Sequence, residues 1–262
     1  MELSDSKKYE YTKSQLVEVI CQLRFPTILS IQSKEPADFQ DAVRESFPRY
    51  AVADERLPAG PGSEMQTVKN HSFISSDGKY KLSLTKSFIA LSTLSYTNWT
   101  DFAKWLDEPL GHFISIYRPA YFERVGLRYV NAFSKKSLGL DACRWAELIV
   151  PEYLGLLDVA DRDEDVLRSS LDTELRLDEK ARVKLHAGPG VVKRAVRTPK
   201  GVQAIPDSEV RFIFDQDVCQ SGNIPLAEAA GTLQTLHTHA DDIFSRAITD
   251  KLHDAMQPVY SD

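Results

Sequence analysis

Arginine side chains alternate with apolar ones along several segments of this sequence. Arg124 and Arg128 occupy even positions, whereas Val125 and Leu127 occupy the odd positions between them. Such a two-residue period is typical of a β-strand with one face on the core and the other in solvent. The planar guanidinium group can hold a carboxylate or a phosphate through two parallel hydrogen bonds. The pattern therefore predicts a charged sheet face that binds acidic groups.

The predicted binding surface comprises the polar residues of these strands, among which basic residues outnumber acidic ones. Its members are Glu18, Gln22, Arg24, Arg124, Arg128, Glu174, Arg176, Arg182, Lys184 and Arg211. The alternative is an ordinary solvated sheet face, on which each cross-strand ion pair stabilises the fold by less than ~1 kcal/mol.

A second basic stretch lies between Gly188 and Pro206. We predict that it is an exposed basic loop able to touch phosphates, with Lys193, Arg194, Arg197 and Lys200 as its charged residues. The charged run carries no aromatic residue that could stack on bases. Because the formal charge of the chain is −6, nucleic acid is the less favoured partner.

The sequence contains no established catalytic or cofactor motif. The nucleophile elbow of hydrolases, the phosphate-binding glycine loop and the dinucleotide fingerprint are all missing. His237 and His239 are two residues apart on a predicted helix and so point in different directions. Cys21, Cys143 and Cys219 are widely separated. We expect no metal, cofactor or disulfide, and an active site assembled from scattered residues stays an open alternative.

Two distant segments open a similar succession of elements. Leu23-Arg24-Phe25 and Leu127-Arg128-Tyr129 each lie in a strand that precedes a short helix, three strands and a long helix. We predict an α+β fold in which residues 1–120 and 121–262 are two copies of this unit, packed as one domain. One long antiparallel sheet would carry its helices on one face, forming a saddle by analogy with TATA-binding-protein-like folds.

Particular residues set the predicted limits of several elements. Ser76-Asp77-Gly78 predicts a hairpin turn, and Thr97 or Asn98 is the expected N-cap of the first long helix. Pro109 should kink or divide that helix, because proline removes a backbone hydrogen bond. The last helix is predicted to run from Pro225 to Met256.

The composition is that of an ordinary globular protein, with 42% hydrophobic residues available for a core. The first residues lack the apolar region of a signal peptide, and no segment reaches the ~18 apolar residues of a membrane span. We therefore expect a cytoplasmic protein with reduced cysteines and no membrane contact.

Three strings of the sequence resemble an uncharacterised, sporadically distributed bacterial family of similar length. They are Leu16–Pro26, Phe88–Thr93 and Phe122–Asn131. The resemblance spans most of the chain and is weakest between Asp158 and Val192. It implies a bacterial accessory gene, and it brings no activity, substrate or catalytic residue.

The sequence favours a non-catalytic accessory protein that binds a protein partner, or a second copy of itself, through the charged sheet face. One alternative is an enzyme or nucleotide-binding protein whose arginines hold phosphates, and another is a nucleic-acid-binding accessory protein. Convergence of Arg24, Arg128, Arg182 and Arg211 on one pocket would favour phosphate binding, whereas their spread over a flat face would favour a protein partner.

Overall fold

Nine antiparallel strands form one sheet in the computed structural model, which describes residues 9–58, 65–198 and 201–260. The strands are β1 (Tyr9–Tyr11), β2 (Leu16–Arg24), β3 (Arg49–Pro58), β4 (Met65–Ile74), β5 (Tyr80–Leu84), β6 (Phe88–Thr93), β7 (Phe122–Phe133), β8 (Leu171–Arg176), β9 (Ala181–Thr198), β10 (Gly201–Ile224) and β11 (Pro258–Tyr260). The order across the sheet is β3-β4-β5-β6-β2-β7-β10-β9-β8, and β1 pairs separately with β11.

Two long helices cover one face of this sheet, so the predicted α+β class is confirmed. The α-helices are α1 (Leu29–Ser33), α2 (Ala37–Val43), α3 (Trp99–Tyr117), α4 (Lys135–Leu138), α5 (Leu156–Val159), α6 (Ala229–Ala247) and α7 (Asp250–Ala255). In α3, Phe113 packs on Phe25 with ring centroids 4.6 Å apart, and in α6, Phe244 packs on Phe133 at 6.2 Å. No helix in the described part of the chain is long and apolar enough to span a membrane.

Alternating burial explains why β2 and β7 form the centre of the sheet. Val19, Cys21 and Leu23 are fully buried, and the register places Cys21 opposite Leu127 and Leu23 opposite Val125. Full burial of an apolar side chain contributes about 1.5–3 kcal/mol. This apolar side faces α3 and α6, and the other side of the same strands stays open.

The two halves of the chain are arranged outward from the β2–β7 pair. Next to β2 come β6, β5, β4 and β3, and next to β7 come β10, β9 and β8. The last strand of each half therefore lies beside its first strand. The first half has four strands after its short helices, one more than predicted, and the additional strand is β3. The second half has the expected three. Duplication and the saddle shape stay predictions.

The first long helix is continuous, so its predicted division at Pro109 is wrong. Pro109 is buried within α3 beside Leu106 and Leu110. Packing of this apolar face against the sheet outweighs the one backbone hydrogen bond that proline removes. The N-cap prediction is confirmed for Asn98, whose side chain accepts a hydrogen bond of 2.8 Å from the backbone of Asp101.

The last helix is divided, so the prediction of one helix up to Met256 is wrong. After α6 the backbone of Ile248 forms an isolated bridge with Ile149. The N–H of Thr249 donates to the carbonyl of Leu148 at 3.0 Å. The Thr249 hydroxyl then caps α7 by accepting from the N–H of Leu252. Pairing with a distant segment thus ends a helix that its own sequence would continue.

The basic segment is a β-hairpin, so the predicted loop between Gly188 and Pro206 is wrong. Thr198 pairs with Gly201, and pairing continues back along β9 and β10 with a bulge between Pro206 and Val210. Lys193, Arg194 and Arg197 belong to β9, although their side chains and the whole of Lys200 lie outside the described residues. Valine in both strands, threonine in β9 and isoleucine in β10 favour extended structure, which explains the outcome.

Candidate binding site

All the residues of the predicted binding surface lie on the open face of the sheet. Their strands alternate between buried and accessible positions, and the accessible positions face away from α3 and α6. The registers place Arg24 opposite Arg124 and Glu174 opposite Lys184. We call this side of the sheet the open face.

Many of these residues line one concavity of about 610 Å³ on the open face. The predicted residues in its lining are Gln22, Arg24, Arg124, Arg128, Glu174, Arg182 and Lys184. Glu18, Arg176 and Arg211 lie on the same face outside the lining. Arg211 is instead 3.2 Å from a carboxylate oxygen of Glu209. The structure therefore brings together three of the four arginines whose convergence distinguishes a pocket from a flat face.

The concavity also has lining residues that the sequence analysis missed. They are Ile20, Glu123, Gly126, Asp217, Cys219 and Ser221. Asp217 was missed because the buried polar Gln216 interrupts the apolar alternation that Phe212 and Phe214 begin. Continuing the two-residue period past Phe214 would have placed Asp217 on the same face as Arg128.

Arg124 lies along its own strand across Gly126 and reaches Asp217. Its Nη2 atom is 2.6 Å and 2.7 Å from the two carboxylate oxygens of Asp217. A Cβ atom at position 126 would lie 2.2 Å from Nη1 of Arg124, so only glycine leaves this path clear. Burial opposes the charge on Arg124, but its contacts with Asp217 and Cys219 outweigh burial and raise its pKa.

Arg128 makes a fork-shaped pair with Asp215 next to this first pair. Its Nε and Nη2 atoms are 2.8 Å and 2.5 Å from the two oxygens of Asp215. The hydrogen bond raises the pKa of Arg128, and burial acts in the opposite direction. Two parallel, charge-assisted bonds hold this arginine in a fixed orientation.

Arg24 differs from both neighbours because no described carboxylate forms an ion pair with it. Its Nε atom donates to the side-chain oxygen of Gln22 at 2.9 Å. Burial lowers the pKa of Arg24 and the positive charge of Arg124 lowers it further, whereas the charges of Asp217 and Glu123 act in the opposite direction. Like charges directly opposite each other destabilise a sheet. The positive charge of Arg24 therefore contributes little to the stability of the fold.

The outer strands carry a row of longer, exposed ion pairs. Glu174 is 3.5 Å from Arg182 and 3.9 Å from Lys184, and His186 is 2.8 Å from Asp172. One carboxylate is thus shared by two cations. Exposed pairs of this kind contribute about 0–1 kcal/mol each and rearrange easily.

Charged side chains of the open face are concentrated on β2, β7, β8, β9 and β10. On β4, β5 and β6 the corresponding positions are held mainly by small neutral side chains such as Ser72, Ser83, Ala90 and Ser92. Within the concavity the cations are Arg24, Arg124, Arg128, Arg182 and Lys184, and the acids are Glu123, Glu174 and Asp217. The site is therefore positive overall, with carboxylates between the cations.

Histidine and cysteine residues form no metal site in the described part of the chain, where no three potential ligands come together. His239 contacts Asp178 at 2.9 Å rather than Asp242. All three cysteines are free. Burial raises the pKa of Cys21 to about 12, with Arg124 acting in the opposite direction.

A comparison with protein-family models finds no match to the chain, and neither does a comparison with curated proteins. The site must therefore be interpreted from its own geometry. Strand-mounted arginines in a wide concavity can orient carboxylate or phosphate groups through paired hydrogen bonds.

Proposed function

We propose that the protein is a non-catalytic binding protein that holds an acidic segment of a partner protein in the concavity of the open face. The observation that carries this proposal is the position of Arg24, which stands opposite Arg124 and forms no ion pair with a carboxylate among the described residues. A ligand carboxylate at Arg24 would supply the missing partner, and charge-assisted hydrogen bonds of this type contribute about 1.5–3 kcal/mol.

The mixed charge of the concavity favours a peptide over a nucleotide. Glu174 and Asp217 stand among the cations and would repel a compact polyphosphate. No aromatic side chain is among the described residues of the lining, so a nucleobase would find no stacking partner there. A peptide with spaced acidic and polar side chains fits alternating charges along a strand.

Binding of an acidic peptide to the Arg24→Gln variant tests this proposal. The probe is a fluorescein-labelled peptide of alternating glutamate and serine, (Glu-Ser)3, titrated at low salt and followed by fluorescence anisotropy. We expect the substitution to weaken binding about tenfold, which corresponds to losing one charge-assisted contact. We also expect unchanged or slightly higher thermal stability, because the repulsion from Arg124 is removed.

The matched control is Arg246→Gln on α6, which removes an exposed arginine whose partner is Asp242 at 3.3 Å. It should leave peptide binding unchanged. Equal losses for the two variants would show non-specific attraction and refute the proposal.

Convergence of Arg24, Arg128 and Arg182 on one concavity favours a second candidate, a phosphate-bearing ligand. Tripolyphosphate is therefore included as a competitor. Displacement of the peptide by tripolyphosphate at a far lower concentration than by unlabelled peptide would favour phosphate binding and overturn the first proposal. A dimer that dissociates in the Arg24→Gln variant would identify a second copy of the chain as the partner.

A further inference from the structure

A separate cavity of about 90 Å³ lies on the opposite side of the sheet, beneath α3 and α6. Its lining includes residues of β1, of the segment before α3 and of β7. Its volume holds several water molecules or one small ligand. None of its lining residues belongs to the concavity on the open face.

Aromatic side chains from five parts of the fold line this cavity. They are Tyr9, Tyr11, Tyr96, Trp99, Tyr129 and Phe244. Trp99 stacks on His237 with ring centroids 4.6 Å apart, and the hydroxyl of Tyr129 lies 2.9 Å from Nδ1 of the same histidine. These contacts hold the rings in place before any ligand arrives.

The polar part of the lining is rich in acceptors. Gln216 is 2% exposed, and its side-chain oxygen has no hydrogen-bond partner among the described residues. Glu10 adds a carboxylate to the wall, and Asp241 adds one whose Oδ2 atom lies 3.5 Å from Nε2 of His237. The described lining contains no lysine or arginine. A buried acceptor without a donor costs about 1–3 kcal/mol, so this cavity is suited to a guest that carries N–H groups or positive charge.

We propose that this cavity binds a small organic ammonium ion. Aromatic faces attract cations through their quadrupoles, and the attraction grows when the site is shielded from water. The carboxylate of Glu10 favours positive charge at the rim, while the oxygen of Gln216 can accept a hydrogen bond or contact a polarised methyl group. An aromatic lining favours an organic cation over a metal ion, which prefers a shell of oxygen ligands.

The indole N–H of Trp99 offers a direct readout by two-dimensional nuclear magnetic resonance. It donates to the side-chain oxygen of Gln234 at 2.9 Å, and Trp105 and Trp145 lie outside the cavity lining as internal controls. Tetramethylammonium chloride is the probe. We expect a saturable shift of the Trp99 signal, with the other two indole signals unchanged.

The neutral molecule neopentyl alcohol and sodium chloride are tested in the same way. A shift that fails to saturate, or an equal shift with neopentyl alcohol or sodium chloride, would overturn the proposal, because the cavity would then hold water or any small guest.

Two variants distinguish a loss of ammonium binding from a loss of folding. Gln216→Met removes the buried acceptor and should weaken binding at least fivefold, with thermal unfolding showing whether the variant folds. Glu10→Gln changes an exposed carboxylate at the rim and should weaken binding two- to fivefold without affecting stability. Glu152→Gln, at an exposed position outside the cavity, is the matched control. Equal affinities for Glu10→Gln and the control, together with unchanged affinity for a folded Gln216→Met variant, would refute the proposal.

Discussion

At the scale of single residues, a missing side chain shapes the candidate binding site. Gly126 lets the guanidinium of Arg124 lie flat on the sheet and reach both oxygens of Asp217. This pair in turn places positive charge opposite Arg24. The orientation of Arg124 therefore depends on a residue that has no functional group of its own.

Replacing Gly126 with alanine should move Arg124 away from Asp217. Because the arginine side chain is flexible, we expect the fold to persist and the free energy of unfolding to fall by about 1 kcal/mol. The affinity for the (Glu-Ser)3 peptide should fall several-fold in the same variant. Chemical denaturation and fluorescence anisotropy measure the two effects.

Gly231→Ala on α6 is the control, since nothing lies within 4 Å of the added Cβ atom. It should raise stability by about 0.5–1 kcal/mol and leave affinity unchanged. A Gly126→Ala variant with wild-type affinity would show that the orientation of Arg124 does not contribute to peptide binding.

Residue patterns in the sequence located the charged face but only part of the site. The alternation around Arg124 and Arg128 was sufficient to place both on one face. Asp217 and Gly126 were missed for different physical reasons. The buried Gln216 interrupted the apolar alternation before Asp217. The role of Gly126 becomes visible only when the position of the Arg124 side chain is known.

At the scale of elements, the turn between β8 and β9 joins the sheet to α6. The Oδ1 atom of Asp178 accepts hydrogen bonds from the backbone N–H groups of Ala181 and Lys180 at 2.6 Å and 2.7 Å. Its other oxygen lies 2.9 Å from Nε2 of His239. These three contacts, in that order, lower the pKa of Asp178 to about 2.

A depressed carboxylate pKa makes this turn sensitive to acid. The charged form is favoured by folding, so its stabilisation is present above pH ~4 and is lost as the pH falls towards 2. We expect Asp178→Asn to lower the free energy of unfolding at pH 7 by about 1 kcal/mol, a value reduced for solvent screening at this exposed site. Denaturation curves at pH 7 and pH 2 measure the difference, which should nearly vanish at pH 2.

Asp141→Asn, at another exposed turn position, should change stability little at either pH. A constant difference between wild type and Asp178→Asn across this pH range would contradict the role assigned to the charge.

Element types were predictable where local signals agreed with packing. Asn98 was correctly identified because an N-cap acts on the backbone beside it. Division of α3 at Pro109 and continuation of the last helix past Ile248 were wrong predictions, because burial of α3 and pairing with Ile149 are long-range effects. The basic hairpin was missed since charge dominated a segment whose β-branched residues also favour strands.

At the scale of the whole molecule, sheet order follows from contacts between distant segments. Adjacent placement of β2 and β7 sets the two halves side by side, and neither local propensity nor charge specifies that pairing. Similar strings around Arg24 and Arg128 suggested that these strands correspond. Their registers place Arg24 opposite Arg124, and Arg128 opposite Ile20, across one central interface.

The strand β1 pairs with β11, and beside this junction a side-chain hydrogen bond joins β1 to α7. The hydroxyl of Tyr11 is 2.7 Å from Nδ1 of His253 in α7, and Tyr9 contacts the same ring at 5.0 Å. Burial, and then contacts with Tyr9, raise the pKa of Tyr11. The hydroxyl therefore stays protonated and able to donate at physiological pH.

A double-mutant cycle should show that this junction acts as a unit. Tyr11→Phe and His253→Leu should each lower the free energy of unfolding by about 1 kcal/mol, and the double variant should be little worse than either, since both remove the same hydrogen bond. Tyr260→Phe is the control, because its hydroxyl lies 3.4 Å from Nε2 of His253 at an exposed position. Strictly additive losses would mean that the two ends stabilise the fold independently, whereas a coupling near 1 kcal/mol would show that strand and helix are held together across nearly the whole sequence.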